Sequence, residues 1–367
     1  MFPEMIVILF VLAFIVPNFY AVSDIVRNVI KVIPGIIGLM YSAVKVDRNV
    51  FNRGLTLSFS LTLCMCFSMV YNQNADPAEI LWIWSYMGLS MILYQFTLRP
   101  MIMQIVFYCV ALYFVFLALQ ANVNAVDIAN NLIVNTISTF CIFALFIYLL
   151  SNYRIGKARI PYLPILLILF ISLWTATRSA ILCMGWLFLW SFFFNFKGKS
   201  IHFGQVLVVI AVISLMIYFY NNLYSHFGAN LMAKLDRQGV ESARTGIWRD
   251  YIEATFGSHG NLLFGPSYLN PTYGNFHQYS GNAHNAFLML HSRYGLVGFI
   301  IVIYNLIIAI AKMIKKQELF LLLLLSLIII RSMFDWTAFP GAYDIIFYFF
   351  LIYATTNVSR NGLISCN

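Results

Sequence analysis

Apolar runs of about 17 to 25 residues, long enough to cross a bilayer as helices, follow one another along most of the chain. Read at that length they predict about twelve spans, near 4–22, 29–44, 54–71, 78–97, 101–120, 129–151, 160–176, 179–196, 203–221, 288–311, 318–334 and 342–358. The second is short and contains Lys31 and Pro34. The run 160–196 is too long for one crossing, so it divides at Thr177-Arg178-Ser179, where a charge interrupts it. One connection breaks the rhythm: residues 222–283 are hydrophilic, first charged and then rich in Gly, Asn and Tyr. Within them Ala243–Thr255 has the pattern of a short amphipathic helix, with Trp248, Tyr251 and Ile252 toward the bilayer surface. The expected fold is all-α: a polytopic transmembrane helical bundle, a single integral membrane domain over 1–367, with 222–283 as a long outer loop between spans nine and ten.

Composition removes the soluble alternatives. Hydrophobic residues make up 62% of 367 positions and charged residues 10%, where soluble domains carry about a quarter charged. So much apolar surface needs lipid as its solvent. Five of the six cysteines (Cys64, Cys66, Cys109, Cys141 and Cys183) lie inside apolar runs, and Cys366 is in the terminal tail. They read as small hydrophobes and not as a disulfide framework. Met1–Tyr20 lacks a basic leading region and a small-residue cleavage site, so it reads as a first span.

Charge then gives an orientation. With the N-terminus in the cytoplasm, the inner connections hold Lys45, Arg48, Arg53, Arg99, Arg154, Lys157, Arg159, Lys197, Lys199, Lys312, Lys315, Lys316 and Arg360. The outer ones hold Asp24, Asp76, Glu79, Asp127, Asp335 and Asp344. That asymmetry is the positive-inside rule, and an even number of crossings returns the C-terminus to the cytoplasm. The net charge of +9 is thereby a topology signal and calls for no nucleic-acid partner.

Some outer-side cations run against the rule and need another reason to be there. They are Arg178 at the helix junction, Arg244 and Arg249 in the long loop, and Arg331 near the outer end of the eleventh span, four residues before Asp335. His284 stands where the loop re-enters the membrane, followed by Asn285. Arginine near hydrocarbon is costly unless paired or solvated, and its planar fork suits diphosphate oxygens. Blander readings exist for each: Arg178 snorkelling to the interface, Arg244 and Arg249 as solvated loop charge, Arg331 simply pairing with Asp335 on one helical face. His202, His226, His259 and His277 read singly as solvated surface. His284 and His291, seven apart, would share a helical face, but no carboxylate or thiolate beside them completes a metal set.

The wording of these segments is informative together. Ala283-His284-Asn285-Ala286-Phe287-Leu288-Met289-Leu290 is followed by Tyr294-Gly295-Leu296-Val297-Gly298; Thr177-Arg178-Ser179-Ala180 is a Ser/Thr-Arg-Ser motif; Arg244-Thr245-Gly246-Ile247-Trp248 is an Arg-x-x-x-Trp motif. In this order, over roughly 160–335, they resemble the O-antigen ligase and polymerase superfamily. Arg293 stands where many relatives carry an acidic residue, and no role is carried over to it.

The resemblance implies a bacterial inner-membrane glycosyltransferase of lipopolysaccharide biosynthesis, its active site facing the periplasm. Its substrates would be undecaprenyl-diphosphate-linked oligosaccharides as donor and acceptor, with membrane lipid and a chain-length regulator protein as partners, and no metal or other cofactor. Arg178 and Arg244 are expected to stabilise the leaving diphosphate and His284 to serve as general base. Arg249, Arg331 and Asn285 are expected to bind substrate. The favoured activity is an O-antigen polymerase, moving the growing glycan onto a new lipid-linked repeat unit. A ligase, moving it onto the lipopolysaccharide core, stays open, as does a flippase that binds the diphosphate without chemistry. The apolar mid-membrane positions and the absence of an internal repeat argue against a transporter.

Overall fold

The computed structural model describes residues 2–19, 23–120, 135–196 and 243–356, and among these every regular element is helical. The predicted ninth span, the charged first part of the outer loop (with Lys234, Asp236, Arg237 and Glu241), His202, His226 and Asp127 lie outside the described residues, as do Lys197, Lys199, Arg360 and Cys366. Among the described residues eight helices precede the long loop: α1 (Phe2–Phe19), α2 (Asp24–Lys45), α3 (Arg48–Asn72), α4 (Ala78–Gln95), α5 (Pro100–Leu119), α6 (Asn135–Arg154), α7 (Tyr162–Trp174) and α8 (Arg178–Phe196). The described part of the loop forms α9 (Ala243–Phe256), α10 (His259–Phe264), a 3-10 turn at Pro271–Tyr273 and α11 (Gly274–Gln278). Three helices close the chain: α12 (Ala286–Lys315), α13 (Leu319–Met333) and α14 (Asp344–Thr355).

Five of the helices are long and apolar enough to cross a membrane, within α2, α3, α5, α6 and α12; α1, α7, α13 and α14 add shorter apolar stretches. The chain is an integral membrane protein. The run at 160–196 does break where a charge interrupts it: α7 ends at Trp174, Ala176 takes a left-handed φ of 49°, and α8 starts on Arg178. The second predicted span extends well beyond its apolar stretch, to 22 residues, and carries Pro34 inside the helix.

Helices that are apolar all round sit at the centre, as they should when neighbours surround them. Nearly every side chain of α6 and α14 is buried, while α5 leaves Met101, Ile105, Leu112 and Phe116 exposed, as a lipid-facing helix does. The pairing of α2 with α4 is backbone to backbone: a Cβ on Gly88 would meet the Leu39 nitrogen at 2.5 Å and the Gly35 carbonyl at 2.6 Å. Ser85 Oγ donates to the Val32 carbonyl at 3.1 Å across the same seam. Small residues and hydroxyls are how helices associate where lipid removes the hydrophobic drive.

The polar segment 243–283 is bolted to one end of the bundle by Asn72, the last residue of α3, and by Asn74 just past it. Asn72 Nδ2 donates to the Phe264 carbonyl at 2.6 Å and the Ser292 carbonyl at 2.9 Å. Asn74 Nδ2 donates to the Pro266 carbonyl at 2.7 Å, and Tyr268 N donates back to Asn74 Oδ1 at 3.0 Å. The helix expected at Ala243–Thr255 is present, but two of its three named aromatic and apolar residues face the protein. Tyr251 is buried, with its hydroxyl 2.7 Å from His291 Nδ1, and Trp248 Nε1 donates to the Ala283 carbonyl at 2.8 Å. Only Ile252 is exposed. The reason is local: Ile247, Tyr251, Phe276, Ala283 and Met289 form a small core of their own above the bundle.

Candidate active site at the outer end of the bundle

The junction between α7 and α8 is a stack of hydroxyls. Thr175 Oγ1 lies 3.2 Å from Ser138 Oγ and 2.9 Å from Thr177 Oγ1, and Thr177 Oγ1 donates to Asn135 Oδ1 at 3.2 Å. These bonds occupy polar groups that the helix break exposes, and they fix the direction in which α8 begins. Arg178 starts α8 half-buried. Ser179, one residue on, is buried and accepts from Arg331 Nη1 at 2.6 Å.

Arg331 is fully buried in the last turn of α13. Its Nη2 reaches the Asn135 carbonyl at 3.1 Å, Thr139 Oγ1 at 2.9 Å and Asp335 Oδ2 at 3.1 Å. The i,i+4 pairing with Asp335 expected from sequence is thus present, but it is one strand of a network joining α6, α8 and α13. Its Nε is a buried donor with no partner. A buried guanidinium held by one carboxylate and three oxygens is a fixed charge, since breaking any of these contacts in a low dielectric is expensive.

The other oxygen of Asp335 turns toward His284. His284 Nδ1 lies 3.9 Å from Asp335 Oδ1 and has no hydrogen-bond partner, and its side chain is mostly buried, 17% exposed. The residue sits in the left-handed region, φ 48°, with its amide donating to Asn282 Oδ1 at 2.8 Å. A non-glycine residue there stores strain, which folded proteins keep chiefly where function needs it. His284 precedes α12, so the helical spacing that would align it with His291 does not apply. His291 lies inside the helix, held between the Tyr251 hydroxyl and the Leu262 carbonyl.

Asn285 is the N-cap of α12: its Oδ1 accepts from Phe287 N at 2.9 Å and Leu288 N at 3.2 Å. Its placement therefore holds the helix start, and with it the His284 backbone. Deeper in the same helix, Gly295 has φ 65° and kinks it. A Cβ there would come within 2.5 Å of the Leu263 carbonyl and 2.8 Å of Ser68 Oγ. The glycine that follows the His-Asn pair in the sequence is what lets the short outer half of α12 tilt under the loop.

Arg244 lies in the first turn of α9, within electrostatic range of Asp335, Arg331 and Arg178. Burial lowers its guanidinium from the usual range, against the opposing pull of the Asp335 charge. Burial alone would raise the Asp335 carboxyl, yet the charge of Arg331, with the neighbouring His284 and Arg244, holds it well below the usual carboxylate range. Among the described residues neither Arg178 nor Arg244 is engaged in a hydrogen bond or ion pair. Two guanidiniums, Arg331 and Arg244, thus act on a single carboxylate, and Arg178 lies within range of Arg244.

Arg249 does not join them. Five residues past Arg244 it points about 140° around the helix axis, is 70% exposed, and lies 3.7 Å from Asp250. Of the other histidines, His259 is exposed and His277 Nδ1 bonds the Tyr268 carbonyl at 2.7 Å. The contacts of Arg331 with Ser179, Thr139 and the Asn135 carbonyl could not be read from the sequence, although Ser179 stands in the Ser/Thr-Arg-Ser motif. Glu79, Asp335 and Asp344, expected in the outer connections, are all three buried. Asp344 accepts from the amides of Phe339 at 2.7 Å and Gly341 at 3.1 Å. The five described cysteines are free thiols.

Residues 163–303 match the family model described as O-antigen ligase, in agreement with the resemblance read from the motifs. The match takes in Arg178, Arg244, His284 and Asn285; Arg331 and Asp335 lie beyond it and are tied to it by the contacts above. No curated protein and no solved structure matches the chain. The family implies an enzyme of glycan transfer.

Proposed function

Starting from a chain whose residues 163–303 match O-antigen ligases, we propose that it is an O-antigen polymerase of the bacterial inner membrane. It transfers the growing undecaprenyl-diphosphate-linked glycan onto a new lipid-linked repeat unit at the periplasmic face. The observation that carries this reading is the meeting of Arg244, Arg331 and His284 around Asp335, with Arg178 within electrostatic range of Arg244.

In the reaction, an acceptor hydroxyl attacks C1 of the sugar on the donor. The C1–O bond to the diphosphate breaks, undecaprenyl diphosphate departs with the bonding electrons, and the hydroxyl proton passes to His284. Negative charge gathers on the diphosphate as the bond breaks, and Arg178 and Arg244, with no hydrogen bond or ion pair among the described residues, receive it. Guanidiniums placed beforehand in a partly dry site stabilise such charge better than water, which has to reorganise. Arg331 is engaged on both Nη atoms and acts by fixing Asp335. Asp335 steadies the imidazolium once the proton has arrived. Direct displacement inverts the anomeric centre. Asn285 supports the site from its edge, through the backbone of His284, while Arg249 stays at the loop surface outside it.

The family description favours one competing reading, a ligase that uses the same donor and transfers to the lipopolysaccharide core. Expression in a polymerase-null and in a ligase-null strain separates the two. A polymerase restores the ladder of chain lengths in the first strain only. A ladder restored only in the ligase-null strain would reject the polymerase.

A further inference from the structure

Next to the reacting groups lies a second buried polar cluster that the mechanism does not use. Glu79 in the first turn of α4 and Arg293 in the outer half of α12 are both more than nine-tenths buried, with Arg293 Nη1 3.3 Å from Glu79 Oε1. The Arg293 guanidinium also lies over the indole of Trp336, 5.3 Å from the ring centroid. Trp336 is the residue after Asp335, and its amide donates to Asp335 Oδ1 at 2.9 Å, the oxygen facing His284.

These groups are under-used. Glu79 Oε2, Arg293 Nε and Trp336 Nε1 are buried and have no hydrogen-bond partner. Buried polar atoms are nearly always paired, because leaving one bare costs its full desolvation. Here one acceptor and two donors go bare together around one half-buried indole. An aromatic face flanked by a carboxylate and a guanidinium matches a sugar ring, which offers apolar C–H faces and hydroxyls that both donate and accept. It is a poor match for a diphosphate, which the Glu79 carboxylate would repel.

We propose that Glu79, Arg293 and Trp336 seat the acceptor saccharide, with Trp336 Nε1 and the free atoms of the ion pair bonding its hydroxyls. The proposal rests on the transfer reading above and assigns the acceptor half of that site. The sugar is held through the residue that follows Asp335, so its attacking hydroxyl is delivered beside His284, while the arginines keep the donor.

Trp336→Phe is the informative variant. It keeps an aromatic ring and deletes a donor with no hydrogen-bond partner among the described residues, so folding should be unaffected or improved. The probe is the free repeat-unit oligosaccharide, released by mild acid from lipid-linked units of cells lacking this protein and fluorescently labelled. It carries the acceptor hydroxyl and no diphosphate. The full-length protein in nanodiscs should bind it, and Arg178→Ala should bind it equally well. Trp336→Phe and the charge-neutral double variant Glu79→Gln/Arg293→Gln should bind it at least 10-fold more weakly, at unchanged melting temperature for the former. Competition by unlabelled repeat unit or by lipopolysaccharide core oligosaccharide tells which saccharide is the acceptor. Equal binding by Trp336→Phe and wild type, or no binding of either saccharide by wild type, overturns the subsite. Failure of the transfer reading shows differently, as wild-type protein that forms no polymer or ligated product from intact lipid-linked units.

Discussion

His284 stands where two constraints meet, a left-handed backbone and an imidazole nitrogen left unpartnered 3.9 Å from a buried carboxylate. His284→Ala should lower transfer by at least about 100-fold, the range for loss of a general base. Protein abundance and binding of lipid-linked substrate should be close to wild type in the same membranes; full activity would remove His284 from the reaction. Arg178→Ala and Arg244→Ala should each cost about 100-fold or more. Lysine at either position should recover only part of this, because it keeps the charge without the fork. Asp335 adds a pH test. Its carboxyl is held well below the usual range, so the stability it lends is complete above its unfolded value, near pH ~4, and fades as pH falls further. The melting temperature of Asp335→Asn should trail wild type by a constant gap from neutral pH down to about 4.5, and the gap should narrow below that. A gap that widens toward acid would mean the carboxylate is not held by the arginines.

At the scale of elements, glycine and short polar side chains decide how the helices meet. Gly295 allows the outer half of α12 to tilt beneath Leu263, and alanine there combines a disfavoured φ with a backbone clash. Gly295→Ala should destabilise by more than about 1 kcal/mol and reduce transfer as well, because the kink sets where His284 enters the site. Ser179 shows the same logic in a hydroxyl: it joins the start of α8 to Arg331 on α13. The motifs at 177–180 and 283–298 were legible as words in the sequence. Their workings were not, since Arg331, Ser179 and Thr139 meet only after α6, α8 and α13 pack. The outward face expected of α9 failed for a related reason. Its amphipathic pattern is real, but the water-excluding surface it found was the cluster of Phe276, Ala283 and Met289 instead of lipid.

Over the whole molecule, the reactive groups come from helix ends and loops at one end of an apolar bundle. In the function proposed above, that end faces the periplasm, the side the charge pattern predicts for it. In a background without the native cysteines, Arg249→Cys on the exposed face of α9 should react with a membrane-impermeant thiol reagent from outside intact spheroplasts. Lys157→Cys, exposed between α6 and α7, should react only after lysis. The reverse pattern would turn the protein over and move the site to the wrong compartment for a lipid-linked glycan already exported.

The sequence by itself determined the solvent, the class of helix, the break at Arg178 and the words of the motifs, because each of these depends on residues close together along the chain. Hydropathy needs only a window the length of one span, and a helix break only a charge and its neighbours. Tertiary structure alone decided which arginines share a carboxylate, that Arg249 turns away, that Asn285 serves the helix start, and that Glu79, Asp335 and Asp344 are interior. Those outcomes depend on long-range packing. In a low dielectric, a charge takes whatever partner the assembled helices bring within reach, and sequence distance does not record which one that is.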